Sequence, residues 1–83
     1  MGYGAVWTEK ALKSMGELPK EIAERIAKKV KDIEPNPHPF LEKLTDIKCF
    51  KLRVGDYRCF IDIDEQKKEL IILQVKHRKH AYD

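Results

Sequence analysis

Apolar positions along this chain change rhythm twice, and each rhythm predicts a different element. Tyr3 to Trp7 is a short, mostly apolar run with aromatic ends, which predicts a strand. Thr8 then suits a helix N-cap, and Ala11, Leu12, Met15 and Leu18 follow at three- and four-residue spacing, the stripe of a short amphipathic helix weakened near its end by Gly16. Pro19, with its fixed φ and missing N–H, suits the first position of a second helix. That helix carries Ile22, Ala23, Ile26, Ala27, Val30 and Ile33 on one face and Lys20, Glu24, Lys28 and Lys31 outside. The run Pro35-Asn36-Pro37-His38-Pro39 cannot continue it, so an extended turn is expected there. The two helices form a hairpin whose apolar stripes need a cover.

The cover is a sheet, whose register follows from the pattern. Phe50 to Val54 and Tyr57 to Ile63 alternate on either side of Gly55-Asp56, a pair suited to a two-residue hairpin turn. Val54 then faces Tyr57, Arg53 faces Arg58, Leu52 faces Cys59, Lys51 faces Phe60 and Phe50 faces Ile61, and opposed residues share a face. One face is apolar, and the other carries Lys51, Arg53 and Arg58. A last strand from about Leu70 to Arg78 follows a polar loop. Pairing Asp64 with Leu70 adds Ile71, Leu73 and Val75 to the apolar face and Gln74, Lys76 and Arg78 to the basic one; a slip of one residue would bury Gln74 and Lys76. The expected architecture is one α+β domain over residues 1–83: an N-terminal strand, a helical hairpin, then a three-stranded antiparallel meander, in one mostly antiparallel sheet.

Composition narrows the function classes. At 83 residues the chain is too short for two lobes with a cleft between them. Two cysteines are too few for a disulfide scaffold, and in the expected ladder Cys49 lies on the basic face as a semi-exposed thiol while Cys59 lies in the core. No stretch is apolar enough to span a membrane or is laid out as a signal peptide, so a cytoplasmic protein is expected. The net charge of +3 is unevenly spread: residues 1–42 hold seven Lys/Arg and seven Asp/Glu, residues 43–83 ten and seven. A basic second half points to an anionic partner, nucleic acid foremost.

Arg53 directly opposite Arg58 is unfavourable for a sheet. Either the long side chains splay apart on a solvated face, or the pair, with Lys51, Lys76 and Arg78 beside it, serves an anion, since the guanidinium fork matches phosphate oxygens. Tyr82, His77 and His80 can add an acid, a base or a stacking surface. His77-x-x-His80 has the look of a metal pair but no third ligand nearby, so no metal and no cofactor is expected.

Leu52-Arg53-Val54-Gly55-Asp56-Tyr57-Arg58, followed by His77-Arg78-Lys79-His80-Ala81-Tyr82, resembles the RelE/ParE toxin superfamily in its RVGDYR hairpin and terminal HR-x-x-x-Y. Trp7 to Lys13, Leu18-Pro19, Asn36-Pro37 and Lys43-Leu44 agree, so the resemblance spans essentially the whole chain. It departs at His80, where many relatives carry an acidic residue. The resemblance implies a RelE-like fold and the toxin of a type II toxin–antitoxin pair. RelE-like members are ribosome-dependent ribonucleases that cut mRNA in the A site; ParE-like members poison DNA gyrase. By alignment Arg58, Arg78 and Tyr82 match the family's catalytic positions, and Lys51 and Arg53 match two basic residues of the ribonuclease branch, which favours RelE-like activity. The implied partners are a RelB-like antitoxin, the ribosome and mRNA. In such a reaction an RNA 2′-hydroxyl attacks the adjacent phosphate, so the substrate supplies its own nucleophile. Arg58 and Arg78 would stabilise charge, and Tyr82, or else His77, would move the proton, with Lys51, Arg53 and Lys76 binding RNA phosphates. The alternatives are a gyrase-binding toxin and an inactive member that binds only RNA or its antitoxin.

Overall fold

The computed structural model describes residues 2–45 and 49–80. Thr8 caps as expected: its Oγ1 accepts the Ala11 N–H at 3.2 Å and so begins α1 (Glu9–Gly16), which follows β1 (Gly4–Trp7). Helix α2 runs Lys20–Ile33; Pro19 stands one residue outside it as the N-cap, and its carbonyl accepts from Ile22 and Ala23. Beyond α2 the proline-rich run closes into a 3-10 turn, His38–Phe40, rather than staying extended. A short strand the alternation did not reveal comes next, β2 (Leu41–Lys43), then β3 (Phe50–Val54), β4 (Tyr57–Asp64), β5 (Glu69–His77) and a second 3-10 turn, Arg78–His80.

The five strands form one sheet in the order β1-β5-β4-β3-β2, with β1 parallel to β5 and all other pairs antiparallel. This is the expected α+β, mostly antiparallel architecture. Both helices pack on one face. Ala11, Ile26, Val30 and Ile33 meet Leu52, Val54, Cys59, Ile61, Leu70, Ile72 and Val75, with Trp7 and Met15 packed against them. Each fully buried Leu or Ile in this set contributes roughly 1.5–3 kcal/mol. Leu12 and Ala27, assigned to the apolar stripes by spacing, are exposed because the contact arc of each helix is narrower than the stripe. The open edge of β1 is tied to the end of α2, where the Glu34 Oε2 accepts the Ala5 N–H at 2.9 Å and the Glu34 carbonyl accepts the Tyr3 N–H at 2.8 Å. With the Tyr3 and Ala5 N–H groups already bonded, this edge offers fewer donors to another chain.

The β3–β4 ladder has the register expected from sequence at every one of its five pairs. The β4–β5 ladder has it only in half. Tyr57↔His77, Arg58↔Lys76, Cys59↔Val75 and Phe60↔Gln74 are as expected, but a β-bulge then leaves Leu73 as an extra residue, and Ile61 pairs with Ile72. Asp64 consequently faces Glu69, not Leu70, and the buried residues are Leu70 and Ile72, not Ile71 and Leu73. The bulge keeps Val75 inward on one side of it and Ile72 and Leu70 inward on the other, a choice the apolar run Leu70 to Leu73 allows in either register. It is also anchored: the Thr8 hydroxyl lies 2.7 Å from the Ile72 carbonyl and 3.1 Å from that of Leu73, and donates to them from the cap of α1.

Candidate active site

The face of the sheet turned away from the helices carries the charged candidates. Its centre is set by pairing alone: Arg53 on β3 stands opposite Arg58 on β4, and Arg58 stands opposite Lys76 on β5, so three cations lie in one row across three strands. Lys51 occupies the next row, opposite Phe60, which in turn faces Gln74. The alternating pattern of each strand puts these residues on the side opposite the core, and the tight Gly55-Asp56 turn, with Gly55 at φ +59°, keeps β3 and β4 in that register.

The cations differ in how they are held. Arg58 is only 6% exposed and its Nη1 donates to the carbonyls of Gly55 at 3.1 Å and Tyr57 at 3.0 Å, so the hairpin's own main chain orients the guanidinium. Lys51 is 3% exposed, against the usual solvated position of lysine. Arg53 is half-exposed and meets Glu42 of β2 at 2.7 Å. The sequence reading missed Glu42, whose signal was the short Leu41-Glu42-Lys43 run that forms β2 and places Glu42 opposite Lys51. Arg78 is not in β5, which ends at His77, but its N–H donates to the Asp56 carbonyl at 2.7 Å and extends the ladder by one bond. Its guanidinium Nε lies 3.7 Å from the Asp56 carboxylate, at the hairpin end of the row.

The structure thus brings Lys51, Arg53, Arg58 and Lys76 together and sets Arg78 at their end. His77 is placed elsewhere. It pairs with Tyr57, packs edge-on to that ring with centroids 5.1 Å apart, and belongs to the opposite face from the cation row. Its Nδ1 accepts the Lys79 N–H at 3.2 Å, so the lone pair that a general base would use is engaged. Tyr82 lies outside the described residues. Neither cysteine is poised as a nucleophile: burial pushes the Cys59 thiol up to about 12, and burial also raises that of Cys49, which is 5% exposed rather than semi-exposed. Among the described residues no group of three or more His, Cys, Asp and Glu is placed to hold a metal ion, and no helix is long and apolar enough to cross a membrane.

A family model described as ParE toxin of type II toxin-antitoxin system, parDE, matches residues 5–82, from β1 through the terminal tyrosine motif. The chain belongs to the RelE/ParE superfamily of type II toxin–antitoxin toxins. A protein of Escherichia coli named as a RelE-like toxin is 32% identical over 84 residues, covering 98% of this chain and 88% of that protein. Among solved structures, the RelBE2 toxin–antitoxin complex of Mycobacterium tuberculosis superposes with a TM-score of 0.88 at 26% identity, covering 94% of this chain and 100% of the matched one. The archaeal RelE–RelB complex of Pyrococcus horikoshii gives 0.81 at 26% identity, covering 98% and 100%. The toxin hairpin therefore sits in a fold these proteins share, and the cation row lies on the sheet face that the helices leave open.

Proposed function

We propose that this toxin is a ribosome-dependent endoribonuclease that cleaves mRNA in the decoding A site, acting in the cytoplasm. One observation carries the reading: Arg53, Arg58 and Lys76 stand side by side across three strands, a like-charge arrangement that a sheet tolerates poorly and that a phosphate compensates. The orientation of Arg58 by two main-chain carbonyls suits it to meet a developing phosphorane charge without reorganising. Arg78, at the end of the row, takes the second share of that charge. Lys51, Arg53 and Lys76 bind the flanking phosphates. Tyr82 takes the proton of the 2′-hydroxyl as its oxygen bonds to phosphorus; the P–O5′ bond breaks and the leaving 5′-oxygen takes up a proton, giving a 2′,3′-cyclic phosphate and a 5′-hydroxyl. A phenol with an ordinary value of about 10 acts as that base only where the surrounding cations favour its phenolate. His77 is second choice, since its Nδ1 is engaged and its face is wrong. The nucleophile belongs to the substrate, so the chemistry asks for no metal and no cofactor.

An antitoxin restrains the protein on this reading, because an unrestrained ribonuclease would stop growth. The RelE–RelB complexes among its structural neighbours support a RelB-like partner for this chain. A second reading has its own support: the matching family model is described by ParE, which favours a gyrase-directed toxin. Purified protein incubated with a 5′-labelled mRNA, with and without programmed ribosomes, separates the two. Ribosome-stimulated cleavage sustains the ribonuclease; intact mRNA together with gyrase-dependent DNA breaks replaces it.

A further inference from the structure

A groove of about 350 Å3 lies between α2 and the β3–β4 hairpin, away from the centre of the cation row. Arg25, Lys28, Lys29 and Asp32 of α2 line one wall, and Arg53 and Gly55 of the hairpin are part of the other. Its opening follows from topology. Strand β2 pairs only with Phe50, Lys51 and Leu52, so the Arg53–Gly55 end of the hairpin has no strand beside it on that edge and faces α2 across a gap. Residues 25, 28 and 29 share one helix face by their spacing, and together with Arg53 they set four cations against one carboxylate.

The cations are arranged rather than loose. Lys28 is held at 3.0 Å by Asp32, the Lys29 ammonium lies 4.8 Å over the Phe40 ring, and Arg53 is held by Glu42. Arg25 reaches the hairpin turn, its Nη1 beside Gly55, whose φ of +59° suits glycine above other residues. Arg53 belongs to both features, lining the groove and ending the cation row, so the two basic surfaces are continuous through it.

We propose that this groove is a second anion site, which takes the backbone of single-stranded RNA flanking the phosphate held on the cation row. The inference extends the ribonuclease reading but rests on binding, not on cleavage. A volume at the small end of ligand sites, about 300–1,000 Å3, suits a single strand and not a duplex, with Arg25, Lys28 and Lys29 each meeting a phosphate as the strand passes. Four of the seven described residues that line it are Arg or Lys, the charge a phosphodiester chain requires.

The test uses the full chain and two uncleavable probes, a fluorescent 2′-O-methyl oligouridylate of twelve nucleotides and one of three. Replacing Arg25, Lys28 and Lys29 together by Gln should weaken binding of the twelve-mer about tenfold or more at low salt. Loss of three phosphate contacts on a single strand should also flatten the slope of log K against log salt by about 2. The three-mer, whose phosphates are all met by the cation row and do not reach the groove, should change less than about twofold. Arg25→Gln alone, which alters one exposed side chain, supplies the same readout with a slope change of about 0.7 should the triple variant melt early. Unchanged twelve-mer affinity and slope would overturn the proposal, as would a loss confined to binding of an acidic peptide such as oligoglutamate. A protein that fails to cut mRNA on ribosomes yet gives the expected twelve-mer result loses the ribonuclease reading and keeps the groove.

Discussion

Two charged clusters on this small protein are built on opposite principles. Around the start of β1, the Tyr3 hydroxyl donates to the Glu65 Oε1 at 2.6 Å, His38 approaches the other Glu65 oxygen at 3.3 Å, and the Lys68 ammonium lies 3.7 Å from Oε1 and 5.0 Å over the Tyr3 ring. Donors surround one carboxylate, and three separate chain segments are clasped. Across the middle of the sheet, Arg53, Arg58 and Lys76 are set like against like, with Glu42 meeting Arg53 at one end and Asp56 meeting Arg78 beyond the row. The first arrangement lowers the energy of the fold by itself. The second places like charges in opposed positions, the pattern expected where a fold keeps a local conflict for function, and on the proposed reading an anion eases it.

The difference is sharpest at Arg58. Arg58→Ala should lower single-turnover cleavage of ribosome-bound mRNA by about a hundredfold or more, the usual loss when a charge-stabilising donor leaves a preorganised site. Its effect on folding should be modest. Losing the bonds to Gly55 and Tyr57 costs about 1–3 kcal/mol, and relief of the cross-strand repulsion returns roughly 0.2–1 kcal/mol. Thermal melts and cleavage on one sample decide: full activity per folded molecule would make the row a solvated face and nothing more.

Proton transfer gives the next largest effect. Tyr82→Phe should cost about a hundredfold if the phenol is the base, within the usual contribution of a positioned acid or base, about 10²–10⁴. His77→Gln should cost less than about threefold, far below that range. The reverse ranking, measured as kcat at saturating ribosomes, would hand the role to His77 and require its ring to leave the Tyr57 face on binding.

The same two regions show what a sequence alone can tell. The hairpin register, the opposition of Arg53 and Arg58 and the helix stripes were legible because each follows from local alternation about a two-residue turn or from helical spacing. The bulge at Leu73 was not. Leu70 to Leu73 is an unbroken apolar run that fits either register, and the contact that distinguishes the bulged one comes from Thr8, more than sixty residues away, donating to the Ile72 and Leu73 carbonyls. Strand β2 was too short to carry a period, and with it went Glu42. Cys49 was placed on the basic face as semi-exposed because alternation gives a side, not a depth; Lys51 and Arg58 are buried on that same side. The Tyr3–His38–Glu65–Lys68 clasp was invisible for the same reason as the bulge, since its members come from three separated stretches of chain.

Glu42 makes the comparison adjustable. It does at Arg53 what Glu65 does in the clasp, supplying the opposite charge, but on the proposed reading it there competes with substrate. Glu42→Gln should tighten binding of an uncleavable oligonucleotide by about twofold to fivefold, in keeping with 0.2–1 kcal/mol for an exposed ion pair, and the gain should fade at high salt. Equal or weaker binding would mean that Glu42 positions Arg53 and does not mask it.

The smallest effect should come from the clasp. The Tyr3 hydrogen bond is the main reason the Glu65 carboxyl is held below its ordinary 4.5, with His38 and Lys68 adding their charges, and the same bond is the main reason the Tyr3 phenol is raised above 10. A depressed carboxyl stabilises the fold while ionised, and that contribution is lost as pH falls below 4.5 through the folded value; a raised phenol stabilises while protonated, and loses its contribution as pH climbs above 10. Glu65→Gln should therefore lower the melting temperature by a few degrees at most between about pH 6 and 9, where both groups hold their stabilising forms. The gap to the unmodified protein should narrow towards both extremes. Cleavage at pH 7 should not change, because none of these four residues stands on the cation row. A constant gap from pH 3 to 11 would show that the clasp acts through packing of the Tyr3 and His38 rings; a fall in cleavage would show that the two charged regions are coupled after all.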